Sequence, residues 1–227
     1  MTHRGLFITL EGIDGAGKST QARLLARYLR RRGLPVRATR EPGGTRVGER
    51  IRGILLASSS EALAPLAELS LMYSARAQHL AEVVRPSLAR GEWVVSDRYN
   101  DASLAYQGYG RRLGVEVVKA LDRVICGETQ PDLTIVLDLS PRRARARARG
   151  RERSRHTPSV DGFEAQGVKF HERVRAAYLD IARQDPRRVK VVRADRPPGA
   201  VQADIRKIVE ELLMRSRKPE VRSQKSE

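Results

Sequence analysis

Near the start of the chain, Gly12-Ile13-Asp14-Gly15-Ala16-Gly17-Lys18-Ser19 matches G-x-x-x-x-G-K-[ST] in full, the pattern of a loop that cradles phosphates. Each residue type has a physical reason. Glycines permit a tight turn whose backbone N–H groups converge on phosphate oxygens. A helix that starts at the lysine offers its positive end to the same anion. The Lys18 ammonium can reach the β- and γ-phosphates of a triphosphate, and the Ser19 hydroxyl can ligate Mg²⁺. Thr20 follows directly and is grouped with the loop. Alone, the motif implies a nucleotide phosphate site and does not separate a kinase from a GTPase or a helicase.

A second set of charged residues follows two later strands. Ser96-Asp97-Arg98-Tyr99 comes after the third, and Arg40-Glu41-Pro42-Gly43-Gly44-Thr45 after the second. In open α/β sheets the functional crevice lies at the carboxyl ends of the strands. Asp97 is then positioned to act on Mg²⁺, directly or through water, and Arg98 to reach a phosphate. The plainer readings are a surface Asp-Arg pair and a simple Pro-Gly-Gly turn. Taken together, Arg40 and Arg98 share one edge with the phosphate loop, and two anion sites suggest two phosphorylated substrates. A phosphate acceptor, whose second pKa is about 6, is largely ionised at neutral pH and needs no general base. The difficulty is repulsion between two polyanions, which Mg²⁺, lysine and arginines can offset by positioning and electrostatics.

Eight arginines fall between Arg142 and Arg155. Ser140 suits a helix cap and Pro141 a first turn, while Gly150 suits a C-terminal stop. Such a run can be a solvated face, a nucleic-acid contact, or a lid that carries arginines onto a transferring phosphate. Its place after the fourth strand, on the phosphate-loop side, favours the lid, over about residues 142–162.

The elements that must position these groups alternate strand and helix. Leu6–Leu10, Val36–Thr39, Trp93–Ser96, Leu133–Leu137 and Val189–Val192 read as strands. Helices are expected over Lys18–Arg32, Leu66–Arg90 with a kink at Pro86, and Ala200–Met214. The alternation indicates an α/β fold, a parallel sheet covered on both faces. Residues 1–214 are expected to form one domain, and the polar basic tail 215–227 to be disordered. The net charge of +17 calls for anionic partners, either nucleic acid or small phosphorylated molecules. An aromatic content of 4% argues weakly against base-stacking platforms, and composition alone does not separate the two. No apolar run is long enough for a membrane span, and no signal peptide is evident. The single cysteine, Cys126, fits a reducing compartment, which places the protein in the cytoplasm.

In this order, several segments resemble the bacterial thymidylate kinase (dTMP kinase) family. They are Glu11 with the phosphate loop, Thr39-Arg40-Glu41-Pro42-Gly43-Gly44-Thr45, Asp97-Arg98-Tyr99 followed by Ala105-Tyr106-Gln107-Gly108, Pro131-Asp132-Leu133-Thr134, and Arg147-Ala148-Arg149-Gly150. They span roughly residues 5–214. The resemblance implies a P-loop nucleoside monophosphate kinase fold with a five-stranded parallel sheet and a basic lid. It also implies transfer of the ATP γ-phosphate to dTMP for dTTP synthesis, Mg²⁺, and a homodimer.

By the same resemblance, Asp14 would approach the 3′-hydroxyl of dTMP, and Arg40 and Arg98 would hold its phosphate. Arg76 would contact the thymine edge, Tyr106 would press on the sugar, and Gln107 would lie near the base, with Ser103 in the same dTMP-binding set. Lys18 and Arg98 would act in catalysis. Related enzymes can carry a catalytic arginine in the phosphate loop; here that position is Gly15, and the lid offers Arg147, Arg149, Arg151 and Arg153. Three positions depart from the pattern: Met72 stands where Phe is usual, Ala102 where Ser is usual, and Gly162 replaces the arginine of Asp-Arg-Phe-Glu. Another nucleoside monophosphate such as dUMP is the alternative acceptor. A P-loop ATPase that binds nucleic acid is the alternative of a different class.

Overall fold

The structure is a computed structural model that describes residues 4–57, 63–147 and 167–216. Its strands are β1 (Phe7–Glu11), β2 (Val36–Arg40), β3 (Trp93–Asp97), β4 (Leu133–Asp138) and β5 (Val189–Arg193). They form one sheet in the order β2-β3-β1-β4-β5, and every pairing is parallel. β1 is buried along its whole length, as a central strand covered on both faces must be. Alternation along the strands feeds two apolar clusters. Ile8, Leu10 and Val95 join one, and Phe7 and Val94 the other.

Helix α1 (Lys18–Arg31) buries Ala22, Leu25, Ala26 and Leu29 on one stripe and packs beside α9 (Pro198–Ser216). The expected long helix is present as α3 (Pro65–His79), a π-helical turn at Leu80–Val84, and α4 (Arg85–Ala89). The disturbance thus sits just before Pro86. Proline has no N–H to give and its ring crowds the carbonyl four residues back, and the wider turn falls on that stretch. Four helices were not anticipated from the sequence: α2 (Arg46–Leu56), α5 (Asn100–Ser103) with a π-helical continuation to Gly110, α6 (Val115–Ile125) and α8 (Val168–Gln184). Another, α7, is described over 141–147 and starts as expected, with the Ala144 N–H on the Ser140 carbonyl at 3.0 Å.

Register brings the chemistry to one edge. Leu10 and Arg40 both lie opposite Asp97, so β1, β2 and β3 deliver the phosphate loop, Arg40 and Arg98 at the same level. Among the described residues, no helix is long and apolar enough to cross a membrane.

Candidate active site

The phosphate loop is tight enough to demand its glycines. Gly12 has φ +129°, and a Cβ there would stand 2.6 Å from the Leu137 carbonyl oxygen. Gly15 has φ +80°, and its Cβ would stand 2.7 Å from the Ala144 carbonyl oxygen. The backbone of α7 therefore lies against the loop and leaves no room for a side chain at position 15. Lys18 is buried, and its Nζ donates to the Ile13 carbonyl at 3.0 Å. Burial and the neighbouring Arg98 guanidinium push its pKa below the ordinary lysine value, against Asp14 and Asp97. A lysine held this way is poised to exchange a backbone carbonyl for a phosphate oxygen.

Ser19 Oγ donates to Asp97 Oδ2, while Asp97 Oδ1 is buried without a partner. An unpaired carboxylate oxygen beside a hydroxyl suits a hard divalent cation. No group of three or more His, Cys, Asp or Glu side chains forms a cage among the described residues. Mg²⁺ commonly takes one or two carboxylates and completes its shell with water and substrate phosphates, so Ser19 and Asp97 fit it.

Asp14, Arg98 and Tyr106 form the hinge between two cavities. Arg98 sits at φ +75° and donates to Asp14 Oδ1, to the Tyr106 hydroxyl at 3.0 Å and to the Gly12 carbonyl at 3.2 Å. The Tyr106 hydroxyl donates to Asp14 Oδ2 at 2.7 Å. Burial works to raise the Asp14 pKa, but Arg98 and Lys18 outweigh it and hold the carboxyl well below the usual range. Beneath them, fully buried Glu11 accepts from the Tyr99 N–H and the Tyr178 hydroxyl, each at 2.7 Å. Burial and the Asp101 charge raise its pKa to about 7.

The first cavity opens from this hinge between α2, α3 and α5. On its floor, buried Arg76 donates Nε to Glu41 Oε2 at 2.8 Å and a terminal nitrogen to the Tyr99 carbonyl and Ser103 Oγ, each at 3.0 Å. Its other terminal nitrogen, Nη1, is buried and unpartnered. Glu41 also pairs with His79 Nδ1 at 2.8 Å, and burial's upward push on its pKa loses to the Arg76 charge. Met72, Leu56 and Ala102 form the apolar side of the cavity. Gln107 lines it too, with its amide nitrogen turned to Glu68 Oε1 at 2.7 Å.

A second, wider groove runs over the loop past Lys18, Ser19, Asp97 and Arg40, and shares Asp14, Glu41, Arg52 and Arg98 with the first. A third cavity, on the far side, shares Gly15, Gly17 and Thr20 with the groove and is flanked by Arg147 and Arg196. Three spaces thus run in series across the edge of the sheet. A triphosphate in the groove can place its nucleoside in the third cavity and its terminal phosphate toward a second anion seated in the first.

Of the residues singled out from the sequence, Asp14, Met72, Arg76, Arg98, Ser103, Tyr106 and Gln107 meet at the first cavity. Arg40 instead faces the groove, where it is exposed and paired with Glu49 at 2.9 Å. Arg149, Arg151, Arg153, Gly162 and residues 217–227 lie outside the described residues, while Arg215 and Ser216, expected to be disordered with the tail, instead close helix α9. Arg52, Glu11, Tyr178 and His79 were missed. Arg52 lines both the first cavity and the groove. No local pattern marks it, because α2 shows only an ordinary mixture of arginines and aliphatics.

Comparison with known proteins agrees with this geometry. The family model for thymidylate kinase matches residues 10–205. The thymidylate kinase of Pseudomonas entomophila is 51% identical over 213 residues, 94% of this chain and 99% of that protein. That of Bordetella pertussis is 48% identical over 215 residues, covering 94% and 98%. A crystal structure of the Ehrlichia chaffeensis thymidylate kinase superposes with a TM-score of 0.74 at 32% identity, covering 91% of this chain and 99% of that one. With the match running from β1 into α9 and spanning all three cavities, the chain belongs to the thymidylate kinase family.

Proposed function

We propose that this protein transfers the γ-phosphate of ATP to dTMP, giving ADP and dTDP for dTTP synthesis. The observation that carries the acceptor's identity is the buried, unpartnered Nη1 of Arg76 in the first cavity. A guanidinium only donates. It therefore welcomes a pyrimidine carbonyl such as thymine O4 and is mismatched to the amino group that cytosine presents there. Asp14 and Tyr106 face the sugar, with Met72, Ser103 and Gln107 around the base. Arg98, together with Arg40 and Arg52 in the groove, offsets the charge of the two phosphates.

The reaction needs no base. An oxygen of the ionised acceptor phosphate attacks the γ-phosphorus, and ADP departs. Lys18 and the loop N–H groups hold the donor. Mg²⁺, held by Ser19 and Asp97, would neutralise phosphate charge when bound. The domain 1–214 carries this chemistry, and the lid at about 142–162 supplies Arg149, Arg151 or Arg153, because α7 occupies the space at Gly15. The protein acts in the cytoplasm as a homodimer. Support for the dimer comes from apolar residues on neighbouring helices: Leu66 of α3 and Val117 and Val124 of α6 are exposed, Val124 at 83%. Val124→Glu is expected to give monomers by light scattering.

The test of the activity is ADP release with MgATP and dTMP, dUMP, UMP, CMP or thymidine. Turnover should be fastest with dTMP and absent with thymidine. No turnover on any monophosphate, with salt-sensitive duplex binding instead, would favour a nucleic-acid-binding ATPase.

A further inference from the structure

His79 closes α3 three residues after Arg76, so the two side chains emerge as neighbours on one face of the helix. It is fully buried and lines neither the first cavity nor the groove. Both nitrogens of its ring are engaged. Nδ1 meets Glu41 Oε1 at 2.8 Å, and Nε2 meets Thr39 Oγ1 at 2.6 Å. Burial pushes the Glu41 pKa up, but the Arg76 charge and the His79 hydrogen bond outweigh it and hold the carboxyl below its ordinary value. A carboxylate only accepts, so Nδ1 carries a proton and donates it.

The arrangement decides how Arg76 is held. A guanidinium can close on both oxygens of a carboxylate with two parallel hydrogen bonds. Arg76 does not. Only its Nε reaches Glu41, at Oε2, while Nη2 donates to the Tyr99 carbonyl and to Ser103 Oγ. The second carboxylate oxygen, which could capture Nη2, is the one that His79 occupies. The last torsion of a glutamate is broad and roughly two-fold, so Arg76 alone would not fix the carboxylate plane. A buried ring tied to Thr39 on its far side does fix it.

We propose that His79 is a positioning residue for base recognition: by occupying Glu41 Oε1 it limits the Glu41–Arg76 pair to one hydrogen bond and keeps the terminal nitrogens of Arg76 turned toward Ser103 and the acceptor's base. The proposal rests on the reading that the first cavity receives the thymine of dTMP. Glu41, Arg76 and Ser103 line that cavity, and His79 acts only through them. Without His79, Glu41 draws Arg76 into a two-bond pair and away from Ser103.

The test measures equilibrium binding of dTMP and of 5-methyl-dCMP, which differs from dTMP only at N3 and the four-position of the base. It uses the full-length protein, with turnover on MgATP and dTMP followed alongside. Asparagine sets its amide nitrogen about where Nδ1 lies, and glutamine about where Nε2 lies. His79→Asn therefore keeps the donor to Glu41, while His79→Gln and His79→Leu lose it. Wild type should bind dTMP the more tightly. In His79→Gln and His79→Leu that preference should fall about tenfold, the size of one buried hydrogen bond. The fall should come from weaker dTMP binding, with KM for ATP and kcat at saturating dTMP near wild type. His79→Asn should retain the preference. A preference that survives in His79→Gln and His79→Leu, whatever happens to their melting temperatures, makes His79 a packing residue and overturns the proposal. So does a loss in His79→Asn as large as in His79→Gln, a comparison that holds even where His79→Leu fails to fold. A wild type that neither binds nor phosphorylates dTMP overturns the kinase reading and this one together, whereas dTMP turnover with unchanged variants overturns this one alone.

Discussion

The proposed donor and acceptor sides of the site are built in opposite ways. The donor groove is open, about 670 Å³, and its phosphate cradle is a single run of backbone from Gly12 to Ser19. The acceptor cavity is narrow, about 80 Å³, and is enclosed by side chains from segments far apart in the chain. Arg76 and Glu41, which form its floor, are separated by 35 positions, and Asp14 and Tyr106 by 92. Phosphate recognition needs only N–H groups and one cation, which a short loop can supply. Recognition of a base and sugar needs donors, acceptors and apolar walls at several angles, which only tertiary packing can bring together. Damage to the donor side should therefore remove rate and spare the fold, whereas damage to the acceptor side should cost both binding and stability.

Lys18→Ala offers the largest effect. Removing a cation aimed at the transferring phosphate should cost about 10²–10³ in kcat, with a melting temperature close to wild type. Near-normal turnover would mean that the loop is not the cradle. Arg76→Met comes next. It strands Glu41 in the interior, and breaking a buried ion pair typically costs about 3–5 kcal/mol. Denaturant unfolding should register that loss, and KM for dTMP should rise steeply while KM for ATP holds. A rise in both constants would erase the contrast between the two sides.

Tyr106→Phe should be milder, about tenfold in kcat/KM for dTMP, because Asp14 keeps its contact with Arg98. The smallest effect belongs to Glu11, which lies under both sides. Its folded pKa of about 7 stands above the ordinary carboxylate value of 4.5. The folded state therefore favours the protonated form. Its contribution is fully present below about 4.5 and is lost as pH rises through about 7. Glu11→Gln fixes the neutral form, so its melting temperature relative to wild type should climb between pH 5 and pH 8. A flat difference would show that Glu11 is ionised at no cost.

The same contrast decides what was legible in the sequence. The phosphate loop could be read in full, since its pattern is contiguous and its mechanism local. The five strands were located to within a residue or so, because buried parallel strands are short apolar runs between turns. Helix α8 was missed. Its buried Phe170, Val174, Tyr178 and Ile181 do recur at helical spacing, but charged residues on its other face dilute the signal. Glu11 looked like the end of a strand, and its bond to Tyr178, 167 positions away, leaves no trace in local spacing. Arg76 entered through family resemblance. Nothing in α3 itself tells a buried arginine from a surface one, and only its pairing with Glu41, itself buried, does so.

That donor and acceptor meet directly over Asp14 and Arg98 is tested best by initial rates across a grid of MgATP and dTMP concentrations. Simultaneous occupation of the two cavities, with transfer in one step, requires double-reciprocal lines that intersect. Parallel lines would mean that a phosphorylated enzyme carries the group between separate visits, and that would contradict the arrangement of the three spaces in series.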